Sequence, residues 1–188
     1  TALNILKNLG EAKKILVVAP KRVAETVWSE EIANWEHLRH LKISKVLGSE
    51  SQRRKALFVK ADIYVINREN VVWLAAQYGT AWPFDTLVLD ELSSFKSAKA
   101  ARFKALRRIR PLIRRVVGLT GTPAPNSLLD LWPQLYLLDQ GERLGKTLTG
   151  YREKYFQPNQ RNAQVVYNYK SKPVEYEDLL GADIWEKE

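Results

Sequence analysis

Residues 85–96 read Asp85-Thr86-Leu87-Val88-Leu89-Asp90-Glu91-Leu92-Ser93-Ser94-Phe95-Lys96. The apolar block at 87–89 ends abruptly at two carboxylates, Asp90 and Glu91. A strand that is buried on both faces has this pattern when its carboxyl end opens onto a crevice. Because ligands of open α/β sheets bind at the carboxyl ends of the strands, the stretch predicts a central strand that brings Asp90 and Glu91 to a functional site.

A second stretch has the same form. The apolar residues 116–119 are followed by two hydroxyls that flank a glycine, namely Thr120, Gly121 and Thr122. If the two strands are parallel and end side by side, the carboxylates and the hydroxyls surround one pocket. The sequence therefore predicts a shared site for Asp90, Glu91, Thr120 and Thr122.

An acidic pair after a buried strand suits nucleotide hydrolysis. One carboxylate can hold Mg²⁺ through the waters that this ion retains, and the other can orient or deprotonate an attacking water. A simpler alternative is that Asp90 and Glu91 only begin a helix, where acidic side chains stabilise the positive end of the helix dipole. The second stretch favours the nucleotide site.

Apolar blocks alternate with helical patterns from residue 15 to residue 138. Strands are expected at 15–19, 43–47, 63–66, 87–89 and 114–119, and helices at 24–35, 51–60, 70–78, 98–109 and 127–138. This alternation predicts an α/β fold with a doubly wound parallel sheet. After Asp139 the alternation stops, although 164–170 reads as one more strand. We therefore expect a core domain at 1–140 and the start of an appendage or linker at 141–188.

Composition limits the classes of function and partner that fit this chain. Lysine and arginine exceed aspartate and glutamate by nine, which favours a polyanionic partner such as nucleic acid, although many basic domains bind none. The absence of cysteine excludes disulfides and cysteine-based metal sites, and His37 and His40 lie in a polar stretch that predicts surface positions. No apolar run reaches membrane-spanning length and no signal peptide is visible, so we expect no membrane partner and an intracellular protein.

A phosphate-binding loop is the missing part of the predicted nucleotide site. Gly145-Lys146-Thr147 resembles one, but Gln140 stands where the first glycine is required and no strand precedes it. We therefore reject this match. In P-loop enzymes the cradle lies on the opening strand and helix, so we expect the loop just upstream of Thr1.

Four motifs together resemble the Swi/Snf-type branch of superfamily-two helicases. Asp90-Glu91-Leu92-Ser93 resembles motif II, with Ser93 at a position where histidine is more common. The other three, in family order, are 17–20 with Trp28 and Trp35 (motif Ia), 62–67 (motif Ib) and 118–123 with 126–128 and 130–132 (motif III). The match covers roughly residues 15 to 139.

The resemblance implies a first RecA-like lobe of a P-loop NTPase, from a DNA translocase of bacterial or phage type. Its cofactors would be ATP and Mg²⁺, with Asp90 as the metal ligand and Glu91 as the residue that activates water. Its partners would be nucleic acid, with DNA favoured over RNA, and a second RecA-like lobe. Motif III would couple ATP hydrolysis to nucleic-acid binding through Thr120, Gly121 and Thr122. The phosphate backbone of the nucleic acid would be contacted by Lys21, Arg22, Asn67 and Arg68.

Further readings of the chain stay open at this stage. The basic helix 98–110 is expected to be a solvated face, with a binding groove as the alternative. The tryptophans Trp28, Trp35, Trp73 and Trp132 are expected in the core rather than as platforms for base stacking. A non-catalytic nucleic-acid-binding domain with a relic nucleotide site, and a protein-interaction module that uses the tail, are the alternative functions. We expect a cytoplasmic location in a bacterial or phage-infected cell.

Overall fold

The computed structural model describes residue 10 and residues 12–124, 126–161 and 166–172. A five-stranded parallel sheet contains β1 (Ile15–Ala19), β2 (Ile43–Val46), β3 (Ile63–Asn67), β4 (Thr86–Asp90) and β5 (Arg115–Leu119). Its spatial order is β2-β3-β1-β4-β5, with β1 at the centre. The predicted α/β fold with a parallel sheet is confirmed.

Helices cover both faces of this sheet. They are α1 (Trp28–Asn34), α2 (Glu50–Phe58), α3 (Val71–Tyr78), α4 (Ala101–Ile109), α5 (Leu131–Asp139) and α6 (Leu148–Tyr155). A π-helical turn, Val23–Val27, precedes α1, and single 3-10 turns lie at Glu36–Leu38, Arg68–Asn70, Leu92–Phe95, Arg110–Leu112 and Leu128–Asp130. None of the helices in the described segments is long and apolar enough to cross a bilayer.

Alternate residues of β1 and β4 face opposite sides of the sheet, as the strand period requires. On one side, Leu16 and Leu87 belong to a large core that includes the buried residues of α3, α4 and α5. On the other side, Val17 and Val88 pack with Ala24 and Ile32, which come from the segment after β1. Because β1 is buried on both faces, its sequence is a continuous apolar run rather than an alternating one.

The chain beyond residue 140 packs on the same core. Tyr151 of α6 is fully buried, and its hydroxyl donates a hydrogen bond to the carbonyl oxygen of Leu128 at 2.8 Å. Phe156 is also buried, and it opens an antiparallel hairpin of β6 (Phe156–Arg161) and β7 (Val166–Ser171). The expected strand at 164–170 begins outside the described residues. The boundary expected at residue 140 stays a prediction, although the segment up to Phe156 is built into the lobe.

The prediction that the tryptophans lie in the core is confirmed for Trp132, which is 1% exposed, and wrong for Trp35, which is 54% exposed. The reason is that α1 ends at Asn34 and the backbone of Trp35 is extended. The indole N–H of Trp35 instead donates a hydrogen bond to Glu31 at 2.8 Å.

The basic helix was expected to be a solvated face, and this is wrong for Arg110, whose side chain is buried. Its guanidinium donates hydrogen bonds to the carbonyl oxygens of Ile113, Leu137 and Leu138 at 2.8, 2.6 and 2.5 Å. Two of these carbonyls belong to the last turn of α5, which has no intrahelical donors for them. Arg110 therefore ties the end of α5 to the segment after α4.

Candidate active site

The predicted site lies at the carboxyl ends of two adjacent parallel strands. Asp90 is the last residue of β4, and its register partner on β5 is Leu119. Glu91 and Thr120 are the next residues of the two segments, so both leave the sheet at the same edge. The expected neighbourhood of the two carboxylates and the motif at 120–122 is therefore present.

Glu91 has an unusual backbone conformation. Its φ and ψ angles are 60° and 61°, in the left-handed region that side chains other than glycine seldom occupy. Such a conformation costs about 1–3 kcal/mol and persists only where surrounding contacts impose it. Two hydroxyls hold the carboxylate, because both Ser93 Oγ and Thr120 Oγ1 donate hydrogen bonds to Glu91 Oε1, the latter at 3.5 Å. Within the part of the chain that the structure describes, Oε2 accepts none.

Of the residues predicted to couple hydrolysis to nucleic-acid binding, only Thr120 is described in direct contact with Glu91. Thr120 contacts the carboxylate directly, and its hydroxyl also accepts a hydrogen bond from the backbone N–H of Thr122 at 3.3 Å. Gly121 is exposed, with open space where a Cβ would lie. A chain of two hydrogen bonds thus joins the backbone at Thr122 to the carboxylate of Glu91, and the side chain of Thr122 stays exposed.

Trp28 is a site residue that sequence reasoning missed. Its indole N–H donates a hydrogen bond to Asp90 Oδ2 at 2.9 Å, across 62 positions of sequence. Trp28 opens α1, the helix that follows β1, and β1 is the neighbour of β4 in the sheet. The sequence assigned Trp28 to the motif Ia segment and, by its helical spacing, to the core, and neither assignment pointed to this contact.

Asp90 and Glu91 fit a magnesium ion that is bound mainly through water. The described residues contain no group of three or more potential ligands of the His, Cys, Asp and Glu types. Trp28 occupies Asp90 Oδ2 and leaves Oδ1 without a hydrogen bond from any described residue. Since Mg²⁺ binds through one or two carboxylates and otherwise through waters and substrate phosphates, this donor set suits it.

The predicted nucleic-acid contacts form a second group at the same edge of the sheet. Lys21 and Arg22 follow β1, Asn67 ends β3 with Arg68 directly after it, and Ala19 is the register partner of Asn67. Lys21 is exposed, and its Nζ lies 3.9 Å from Glu25 Oε1. These four residues therefore follow the β1–β3 pair, whereas the carboxylates and Thr120 follow the β4–β5 pair.

Glu69 organises Asn67 and Arg68, and the sequence motifs did not include it. Asn67 Nδ2 donates to Glu69 Oε2 at 2.8 Å, and Arg68 Nε lies 3.1 Å from Glu69 Oε1. Burial alone would raise the pKa of Glu69, but the hydrogen bonds from Asn67, its own backbone and Arg68, with the charge of Arg68, lower that pKa below its ordinary value. The carboxylate of Glu69 therefore stays ionised and holds both side chains.

A groove of about 480 Å³ lies beside Asp90 on the face of the sheet. Its lining is largely apolar and, among the described residues, contains no lysine or arginine. It includes Trp28, Ile32, Val88, Asp90, Val117 and Leu119. A phosphate chain needs backbone N–H groups or cations around it. The groove is therefore unsuited to hold the phosphates of a nucleotide.

The structure supports the rejection of Gly145-Lys146-Thr147 as a phosphate loop. The segment connects α5 to α6 and follows no strand. The carbonyl oxygen of Gly145 accepts a hydrogen bond from the indole of Trp132 at 2.9 Å, and the hydroxyl of Thr147 caps α6. These contacts show a structural connection between two helices.

The sheet order and the strand-end carboxylates define a RecA-like α/β lobe. The structure resembles the Sulfolobus solfataricus SWI2/SNF2 ATPase core in complex with dsDNA, with a TM-score of 0.65 over 81% of this chain and 30% of that chain, and the 22% identity limits this likeness to the fold. The SNF2-related domain family matches residues 1–168, and the chain belongs to this family. The expected resemblance is therefore confirmed.

Relatives span viruses and eukaryotes. Protein p41 of Acyrthosiphon pisum secondary endosymbiont phage 1 is 42% identical in an alignment of 164 positions, which covers 82% of this chain and 36% of p41. The mouse DNA excision repair protein ERCC-6-like is 31% identical over 77% of this chain and 12% of its own length. The chromatin-remodeling ATPase INO80 of Schizosaccharomyces pombe is 28% identical over 73% of this chain and 9% of its own length. The chain thus spans between 9% and 36% of these relatives.

Proposed function

We propose that this chain is the first lobe of an ATP-dependent translocase that moves along double-stranded DNA. The observation that carries the proposal is the pair of adjacent parallel strands, β4 and β5, which end in Asp90 and Leu119 and bring Thr120 onto the carboxylate of Glu91. Membership of the SNF2-related family supports the proposal, as does the resemblance to an ATPase core that was solved with dsDNA.

The two carboxylates have separate roles in this proposal. Asp90, held by Trp28, presents Oδ1 to the hydration shell of Mg²⁺. Glu91 presents Oε2 to the attacking water and accepts its proton, while the hydroxyls on Oε1 keep the side chain in place. Bound Mg²⁺ would supply charge neutralisation at the phosphates.

Nucleic acid is bound at the β1–β3 part of the edge in this proposal. Lys21, Arg22, Asn67 and Arg68 contact phosphate oxygens, which carry no sequence information and so suit a protein that moves along DNA. Movement is coupled to hydrolysis through Thr120, Gly121 and Thr122, because the hydrogen bonds from Thr122 to Thr120 and from Thr120 to Glu91 link the exposed motif III loop to the catalytic carboxylate.

The chain alone is proposed to have negligible ATPase activity. The one candidate phosphate loop, at 145–147, is rejected, and a second RecA-like lobe completes the site with arginines in enzymes of this type. The length of the relatives supports this view, since the chain spans 36% of the phage protein and less of the others. A purified 188-residue chain that hydrolysed ATP rapidly would contradict it.

The test measures ATP hydrolysis by the full-length protein with and without duplex DNA. We expect Glu91→Gln to lower the DNA-stimulated rate by about 10²-fold or more, because the amide cannot accept a proton. Duplex binding should persist in this variant. Glu153→Gln, which makes the same chemical change on the exposed side of α6, should leave the rate unchanged.

An unchanged rate in Glu91→Gln would remove Glu91 from the reaction. A wild-type protein that bound duplex DNA without any hydrolysis would identify the alternative, a nucleic-acid-binding domain with a relic nucleotide site.

A further inference from the structure

The excess positive charge of the chain is concentrated in one segment. Residues 96–115 contain nine of the 30 lysines and arginines and no aspartate or glutamate. Outside this segment, the chain has 21 basic and 21 acidic side chains and is neutral. The net charge of +9 is therefore a local property of α4 and its two flanks.

Most of these cations lie on one exposed surface. Helix α4 buries Phe103, Leu106 and Ile109, so the residues between them face outward. We call the following six residues the α4 surface, all of them exposed except Lys96, which is half-buried: Lys96, Lys99, Lys104, Arg107, Arg108 and Arg114. Arg110 is not included, because its guanidinium is buried against carbonyl oxygens.

The α4 surface is separate from the four residues predicted to follow β1 and β3. It starts after the 3-10 turn that follows Glu91 and continues along α4, away from the carboxyl edge of the sheet. Arg114 precedes β5, and its backbone N–H bonds to the carbonyl oxygen of Asp85, which precedes β4. The surface thus reaches the amino-terminal edge of the sheet, at the opposite end from Asp90.

None of the six cations forms an ion pair with a described residue. Some cations elsewhere in the described chain do have carboxylate partners, as in Arg54–Glu50 and Arg143–Asp139. The carboxylate of Asp85 is engaged by the backbone N–H groups of Lys13 and Lys14. A cluster of unpaired like charges destabilises a folded chain unless a polyanion neutralises it.

We propose that the α4 surface binds the phosphate backbone of a second segment of duplex DNA, apart from the segment held at the carboxyl edge of the sheet. This binding needs no nucleotide hydrolysis, and it stands whether or not the chain is a motor. Helix α4 has nine residues and is about 13 Å long, a length over which duplex DNA presents about eight phosphates.

The composition of the surface favours a duplex over a membrane surface or a single strand. A helix that lies on a membrane needs bulky apolar residues beside its cations, and near this surface only Leu112 is a large exposed apolar residue among those described. The aromatic rings of Tyr136 and Trp132 give bases no platform for stacking, because the guanidinium of Arg107 lies over them at 4.7 and 5.7 Å. A polar and positively charged surface is suited to phosphates.

The experiment compares duplex binding by two triple variants of the full-length protein. The test variant is Lys99→Gln, Lys104→Gln and Arg114→Gln, whose side chains are exposed and make no hydrogen bond within the described chain. The control variant removes the same charge from three other exposed positions: Lys55→Gln, Lys60→Gln and Lys170→Gln. Fluorescence anisotropy with a labelled duplex, without nucleotide, measures Kd at salt concentrations from about 50 to about 200 mM.

We expect the test variant to lower the slope of log affinity against log salt by about two to three, because about 0.9 is lost for each phosphate contact. Its Kd at the lowest salt should rise about tenfold or more, and the control should stay within about twofold. Equal loss in both variants would mean that only net charge matters, and would overturn the proposal. The proposal would also be overturned if polyglutamate at equal charge displaced the duplex from the wild type but not from the test variant. That result would assign the surface to an acidic protein segment.

Failure of the motor function would leave this result unaffected. The anisotropy measurement contains no ATP, and the three substituted residues lie outside the proposed catalytic and carboxyl-edge contacts. A duplex effect in the test variant with no ATP hydrolysis in the wild type would support the surface and refute the motor.

Discussion

Single side chains determine how the two carboxylates of the site are presented. Trp28 holds one oxygen of Asp90, and two hydroxyls hold one oxygen of Glu91. In both carboxylates the other oxygen has no hydrogen bond from a described residue. At the β1–β3 end, by contrast, both oxygens of Glu69 are engaged, one by Asn67 and the other by Arg68. Fixed partners of this kind reduce the freedom that a reacting or binding group must lose.

Trp28→Phe tests the contact with Asp90, because it keeps the packed ring and removes the N–H. A hydrogen bond to a charged group contributes about 1.5–3 kcal/mol, so we expect the Mg²⁺ concentration for half-maximal ATPase activity to rise about tenfold or more. Duplex affinity should not change. Trp35→Phe removes an indole hydrogen bond to Glu31 at an exposed site and is the matched control. If both variants require the same Mg²⁺ concentration, Trp28 only packs.

Glu69→Gln tests whether an ionised carboxylate holds Asn67 and Arg68. The pKa of Glu69 lies below its ordinary value of 4.5, so its contribution to folding is fully present above pH 4.5 and is lost as the pH falls through the lowered pKa. We expect the variant to be less stable than the wild type at pH 7 and equally stable below this range. Urea unfolding at several pH values measures the difference, with Glu142→Gln as an exposed control. A difference that does not depend on pH would exclude the charge as its cause.

Elements are joined in this lobe by buried polar contacts as well as by apolar packing. The end of α5 depends on Arg110, which supplies donors that the helix itself lacks. The start of β5 depends on Asp85, whose carbonyl oxygen accepts bonds from Arg114 and Arg115. Both contacts lie at the connection that leads into β5, the strand that precedes the motif III segment.

Arg110→Met tests this joint. The substitution keeps much of the apolar volume but leaves three carbonyl oxygens without their donor, and each buried orphan group costs about 1–3 kcal/mol. We expect the free energy of unfolding to fall by about 2–4 kcal/mol, as measured by urea denaturation. Arg114→Met, at an exposed position on the same connection, should change it by less than about 0.5 kcal/mol. Similar effects of the two substitutions would show that the buried hydrogen bonds contribute little.

At the scale of the whole molecule, the lobe has two differently charged regions around one sheet. The carboxyl edge combines carboxylates with a few cations, whereas α4 and its flanks carry all of the net positive charge. The segment up to Phe156 shares the core, through Tyr151 and Phe156. Residues past 140 therefore pack on the same core, and the domain boundary at residue 140 stays a prediction.

Much of the architecture could be predicted because it depends on local sequence patterns. The continuous apolar runs of β1 and β4 identify doubly covered parallel strands, and the residues directly after β4 and β5 identify the edge where a site forms. The motif at 120–122 was placed beside Glu91 on the same grounds. Periodicity does not report where a helix ends, and for that reason Trp35 was assigned to the core although it is exposed.

The sequence by itself determined the class of fold, the family and the identity of Asp90 and Glu91 as the strand-end acids, because these depend on residues that are close together in the chain. Only the tertiary structure decided which partners hold them. Trp28 lies 62 positions from Asp90, and Thr120 lies 29 positions from Glu91. Contacts over such distances depend on strand order and on the packing of helices across the sheet. These are properties of the folded chain, and no local pattern contains them.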